Sequence, residues 1–279
     1  MATENIGMLP SLRQQNLLAE FAGLKQSCPP GIFVSLTPGD PSLWSGVIFV
    51  RKGPYATAIL RFCISFPATY PALPPLVTFS TDIFHPLITP LSTYMYTTDI
   101  QEGGTVSATD DERLPPGGFS LRHGFPGWFG RVGAAGTATP SFMDVHKREI
   151  STFEVLSYIR SSFDDENVLD LVPLEAAGNP GAWHAWRTHR GYHALPEGDP
   201  SARKPGEWNW EGVWEERVKK GIAASLSEPV LYGGVGGGDD TIRFLSMEDT
   251  EVETVKDNLY KTLGESARAD PLAVPSANS

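Results

Sequence analysis

The sequence predicts an α+β fold: a leading helix, a four-stranded antiparallel meander sheet, then C-terminal helices. Three observations carry that expectation. Short runs between residues 32 and 79 alternate apolar and polar side chains, the period-2 pattern of strands with one buried face. Apolar residues recur at helical spacing before that region and again from about residue 143. Between the last two strands stand Pro67, Pro71, Pro74 and Pro75. Proline lacks an amide donor, holds its own φ near one value and pushes the preceding residue towards extended geometry, so this connector must be stiff and non-helical.

Taken in order, residues 1–10 read as a flexible N-terminus. Ser11 is a plausible N-cap for a helix over about 11–27, in which Leu12, Leu17, Leu18, Phe21 and Leu24 form a core-facing stripe. Cys28-Pro29-Pro30-Gly31 ends it. Ile32, Val34 and Leu36 alternate as a first strand, and Pro38-Gly39-Asp40-Pro41 is a turn by composition. A second strand is expected over 44–51, a turn at Gly53-Pro54, and a third strand over 57–66 that points Ala58, Leu60, Phe62, Ile64 and Phe66 to one face. A fourth follows at 76–79. The next dipeptide of extended geometry is His85-Pro86.

Residues 91–142 differ in character, being rich in Gly, Pro, Ser and Thr, with Phe125, Trp128 and Phe129 as the one concentrated apolar piece. A segment of this length without periodicity is expected to be a flexible insertion, pinned back at those aromatics. From Met143, the residues Val145, Ile150, Phe153, Val155, Leu156, Ile159 and Phe163 fit a helix of about twenty residues that Asp165, Glu166 and Asn167 end. Val172 to Asn179 follows, then Trp183, Trp186 and His189, and Gly178-Asn179-Pro180 is expected to split any helix there. A polar linker over 196–206 leads to the last strong helix, where Trp210, Val213, Trp214, Val218, Ile222 and Leu226 make an apolar stripe. Three tryptophans stand within seven residues. The stripe is expected to pack on its own domain, or part of it to anchor a partner, since tryptophan is enriched in interface hot spots. The two readings are compatible, with Trp208, Trp210, Trp214 and Val218 the candidate partner-binding residues. The folded domain is thus expected over 11–226. Residues 227–279 read as an acidic, largely disordered tail with one marginal amphipathic helix marked by Leu245, Val252, Val255, Leu259 and Leu263.

Composition narrows the function. The chain of 279 residues is 41% hydrophobic, which suits a folded core, and carries a formal charge of −11, which opposes nucleic-acid binding because phosphate neutralisation needs clustered Lys and Arg. No run is long enough to span a membrane, and Met1-Ala2-Thr3-Glu4 lacks the basic and apolar regions of a secretory signal, so the expectation is a cytoplasmic protein that reaches a membrane only through partners. Cys28 and Cys63 provide neither a disulfide framework nor a metal-ligand spacing. His146, His184, His189 and His193 stand beside no regularly spaced cysteine or carboxylate, so no metal and no cofactor are expected.

The string Tyr70-Pro71, Pro74-Pro75, Phe79, Thr81 and His85-Pro86, behind a leading helix and a strand series, resembles the core signature of the ubiquitin-conjugating enzyme fold. In active members of that superfamily, His-Pro is followed by Asn, and a nucleophilic cysteine lies ten residues after the His. Here those positions hold Leu87 and Met95. Together with the run Trp44 to Gly53 and Trp208-Asn209, His85-Pro86-Leu87 resembles the Fused Toes family, also called AKT-interacting proteins, which are catalytically inactive variants of the fold. The resemblance covers about residues 11–90 and 150–226. It implies a scaffold that joins a Hook-type coiled-coil protein and a Fused Toes and Hook interacting protein, linking early endosomes to dynein. The alternatives are a ubiquitin-binding module or ubiquitin-chain cofactor, and a residual enzyme using Cys28 or Cys63.

Overall fold

The structure, a computed structural model, describes residues 10–91, 114–129, 150–192, 209–232, 242 and 244–263. It divides into a unit over residues 1–242 and a second over 243–279. In the first, α1 (Pro10–Ser27) leads into β1 (Ile32–Thr37), β2 (Asp40–Phe49), β3 (Ile59–Ser65) and β4 (Leu76–Phe79). The sheet order is β1-β2-β3-β4, antiparallel throughout. There follow α2 (Pro126–Phe129), α3 (Thr152–Asp164), α4 (Glu166–Asp170), a 3-10 turn (Leu174–Ala176), α5 (Pro180–His189), α6 (Val213–Ser225) and α7 (Glu228–Leu231). The second unit contains α8 (Asp249–Leu263).

Alternation along the strands sets the core. Trp44, Ile48, Leu60, Phe62, Ile64, Val77 and Phe79 are buried and share one face of the sheet. α1 meets that face where Phe21 packs edge-on against Trp44 at 5.3 Å, and α3 where Phe163 lies 5.5 Å from Phe79. Gly46 makes the packing possible: a Cβ there would come within 2.3 Å of the Phe62 ring. The two helices are tied by a carboxylate. Glu20 of α1 accepts from the Thr152 N–H at 2.9 Å, from the Thr152 hydroxyl, and from the Tyr70 hydroxyl at 3.2 Å. The first turn of α3 has backbone N–H groups with no intrahelical acceptor, so a buried-side carboxylate from α1 serves as a cap in addition to the Ser151–Glu154 capping box.

Several expectations need correction. Ser11 lies inside α1 rather than capping it, and Leu12 and Leu18 are exposed, because α1 buries a narrow side (Leu17, Leu24) against the sheet and α3. The first hairpin turns on Pro38-Gly39 alone, since Thr37 already pairs with Asp40, so β2 begins four residues before the expected 44. α3 starts at Thr152, capped by Ser151, and Ile150 precedes it; Met143 and Val145 lie outside the described residues.

The insertion is also more structured than expected. Residues 114–129 belong to the domain: Phe119 and Leu121 are buried, Phe119 N–H donates to the Val77 carbonyl at 2.8 Å, and Trp128 Nε1 donates to the Pro71 carbonyl at 3.1 Å. The expected domain end at 226 is too early, because Arg61 donates to the Leu231 carbonyl at 3.1 Å. The split of the helix at Gly178-Asn179-Pro180 holds, with Asn179 capping α5 through Ala182 N–H at 3.1 Å.

α6 is part of the core. Trp214 is 2% exposed and packs 4.7 Å from Trp186 and 5.8 Å from Tyr55, while Val218 is 4% exposed. Neither side chain presents surface to a partner, which corrects the expectation for these two residues. Trp210 is half-buried and stacks on His184 at 5.7 Å; Trp208 lies outside the described residues. Truncating a fully buried Trp costs roughly 3–5 kcal/mol. In urea denaturation, Trp214→Ala is therefore expected to lose about that much stability, and Trp210→Ala less than half of it.

Candidate functional site

The corner made by His85, Pro86 and Leu87 gathers the groups that the sequence singled out. Backbone constraint builds it. Each X-Pro step favours extended geometry, and Ile88 N–H closes a turn onto the His85 carbonyl at 3.1 Å. His85 is fully buried between the Tyr55 ring at 5.1 Å and the Phe163 ring at 4.6 Å. Both of its nitrogens are engaged. Leu87 N–H donates to Nδ1 at 3.1 Å, which leaves Nε2 as the protonated nitrogen, donating to the Ser162 carbonyl in α3 at 3.1 Å. Burial penalises the charged ring and pushes its pKa down to about 3, against a smaller opposing effect of the Ser162 hydrogen bond. His85 is thus a neutral strut.

Neighbouring segments use the remaining backbone groups of the corner. Ser120 N–H donates to the Leu87 carbonyl at 2.7 Å and Asn179 N–H to the Pro86 carbonyl at 3.0 Å. Ser120 Oγ bonds the Ala176 carbonyl at 2.6 Å, tying the 114–121 strip to the 3-10 turn. Tyr55, buried and with its ionisation pushed well up by that burial, donates to the Phe84 carbonyl at 2.8 Å. The Leu87 side chain is 0% exposed. An apolar group occupies this position inside the core, so residue 87 offers no side-chain donor to a reacting carbonyl.

The other candidates are placed as follows. Tyr70 is buried with its hydroxyl on Glu20, Pro71 gives its carbonyl to Trp128, Pro74 is half-buried, and Pro75 and Pro86 are buried. Met95 lies outside the described residues. Cys28 donates to the Ile32 carbonyl at 3.3 Å, and burial pushes its thiol pKa up, away from the thiolate a nucleophile needs. Cys63 faces the side of β3 opposite to Phe62 and Ile64, level with Ser45 and Thr78. His189 is bound to Glu215 at 2.7 Å; His146 and His193 fall outside the described residues. No helix among the described residues is long and apolar enough to cross a membrane. Sequence reasoning missed Tyr55, Ser120 and Phe119. The alternation of Phe119, Ser120 and Leu121 was the available signal, hidden between two glycines and an arginine.

Residues 16–95 match the family model described as ubiquitin-conjugating enzyme. The chain is 41% identical over 81 residues to a protein crossbronx homolog of Anopheles gambiae, covering 28% of this chain and 36% of that protein. It is 38% identical over 84 residues to an AKT-interacting protein of Danio rerio, covering 30% and 29% respectively. An AKT-interacting protein homolog B of Xenopus laevis matches at 34% identity over 84 residues, again 30% and 29%. The match thus spans about a third of the length of these relatives.

Two outcomes are expected at the corner. Leu87→Asn would bury an amide without partners, so it should cost about 1–3 kcal/mol in denaturant unfolding and create no transfer activity. His85 contributes a pH dependence. Its folded pKa lies below the ordinary 6.5, so the unfolded chain takes the proton first as pH falls. The contribution is intact above about pH 6.5 and is lost between there and pH 3, on the order of 5 kcal/mol in all. Unfolding midpoints against pH should show this slope, reduced in His85→Gln.

Proposed function

We propose that this chain, whose residues 16–95 match the ubiquitin-conjugating enzyme family model and which is similar to an AKT-interacting protein over 84 residues, is a non-catalytic adaptor subunit of that family. It binds a Hook-type coiled-coil protein together with a Fused Toes and Hook interacting protein, and so links early endosomes to dynein-driven transport. It works in the cytoplasm, held on the membrane through partners.

The observation that carries the non-catalytic part is the corner at residue 87. Transfer of ubiquitin needs an accessible thiolate to carry the thioester and a donor to steady the oxyanion. Leu87 is apolar and fully buried, and its own N–H is taken by His85. The residue ten positions after His85 is Met95, whose thioether cannot form a thioester. The two cysteines of the chain supply no substitute that the geometry favours: Cys28 has a raised pKa, and Cys63 sits on a strand. A fold kept intact around such a corner has its surfaces left as its means of acting, and binding is what surfaces do.

Calorimetry of the full chain against the C-terminal segment of a Hook-type protein is the direct test. Stoichiometric binding at micromolar affinity or tighter is expected, weakened in the folded variant Trp210→Ala. Absence of heat would overturn the adaptor reading and make ubiquitin the next ligand to titrate. A parallel loading reaction with ubiquitin, its activating enzyme and ATP should yield no reductant-sensitive adduct. An adduct abolished by Cys28→Ser or Cys63→Ser would show that the chain is an enzyme.

A further inference from the structure

The second unit contains α8, fifteen residues long, with an apolar stripe that its own described residues do not cover. Within the helix Val252, Val255 and Leu259 follow at intervals of three and four residues, the spacing of a seam that meets another helix, and Leu245 lies in the irregular segment before it. Val255 is 42% exposed, Leu259 53% and Leu245 74%. Asp249 and Glu251 flank the seam at its first turn, while Lys256 is tied to Glu253 at 2.7 Å. A single helix of this length is marginal in water unless a face of it is buried.

Charge selects the occupant. Residues 243–279 hold seven acidic and four basic side chains, and the rest of the chain holds 26 acidic and 18 basic. Docking on a second copy therefore brings net negative surfaces together. A bilayer is disfavoured for the same reason, because helices that lie on membranes carry Lys and Arg along the polar face, and anionic headgroups repel carboxylates. We propose that α8 is a docking helix for a partner protein whose helical surface presents an apolar groove rimmed by Lys or Arg. The inference does not depend on the adaptor reading of the domain.

The test uses the full chain and two synthetic helical peptides of about four heptads, with Leu at the seam positions and either Lys or Gln beside them. In calorimetry at low salt, the Lys peptide is expected to bind about tenfold more tightly than the Gln peptide, with the difference shrinking at high salt. Val255→Glu with Leu259→Glu should abolish binding without moving the unfolding transition of the domain. Asp249→Lys with Glu251→Lys leaves the seam intact and should weaken the Lys peptide about tenfold. Equal affinity for the two peptides, or unchanged binding by either double variant, would overturn the proposal. So would sedimentation with phosphatidylserine vesicles, or self-association in the ultracentrifuge, that the seam variant removes.

Discussion

A neutral imidazole without access to water holds the centre of this domain. His85 joins three things that are remote in sequence: its own Pro-Leu corner through Nδ1, the last turn of α3 through Nε2, and the aromatic cluster of Tyr55 and Phe163 through its ring faces. Each role requires the uncharged form. A proton on Nδ1 would face the Leu87 N–H, and a charge would sit among rings with no counter-ion in hydrogen-bonding reach among the described residues. The corner geometry, the seating of α3 and the burial of Leu87 therefore depend on one protonation state, which the apolar surroundings themselves enforce.

Around that centre, the fold is closed by short polar links placed where backbone groups would otherwise be stranded. Glu20 caps α3 from another helix, Ser120 spans from the corner to the 3-10 turn, and Asn179 both caps α5 and donates to the Pro86 carbonyl. The 114–121 strip does for β4 what a further strand would do. Its Phe119 N–H bonds the Val77 carbonyl, and Phe79 N–H bonds the Gly117 carbonyl at 2.8 Å. The free side of β4 is thereby paired rather than left as an open edge.

How much of this was legible in the sequence depended on whether the information was local. The β4 bounds and the His-Pro corner follow from alternation and from proline sterics, both of which act between neighbours. The lack of an amide at residue 87 could be read directly, but the burial of Leu87 could not, because its cover comes from distant segments. Phe119 and Leu121 were overlooked since an alternation of only two apolar residues among glycines and prolines is too short to stand out. Trp210 and Trp214 looked alike in sequence. Only the tertiary contacts of Trp214 with Trp186 and Tyr55 separate a core residue from a half-buried one. In α1, Leu12 and Leu18 failed as core residues because a helix lying against one sheet and one helix buries less of its circumference than its apolar residues could fill.

The chain passes itself closely where Gly178 faces the Leu87 carbonyl: a Cβ on residue 178 would lie 2.7 Å from that oxygen. Flexible side chains can yield to an intruder, but here backbone meets backbone, so neither partner can move without the other. The corner and the loop before α5 consequently vary only as a pair. Bringing a polar group at residue 87 to the surface would require the corner, the loop that crosses it and the strip that covers it to shift together.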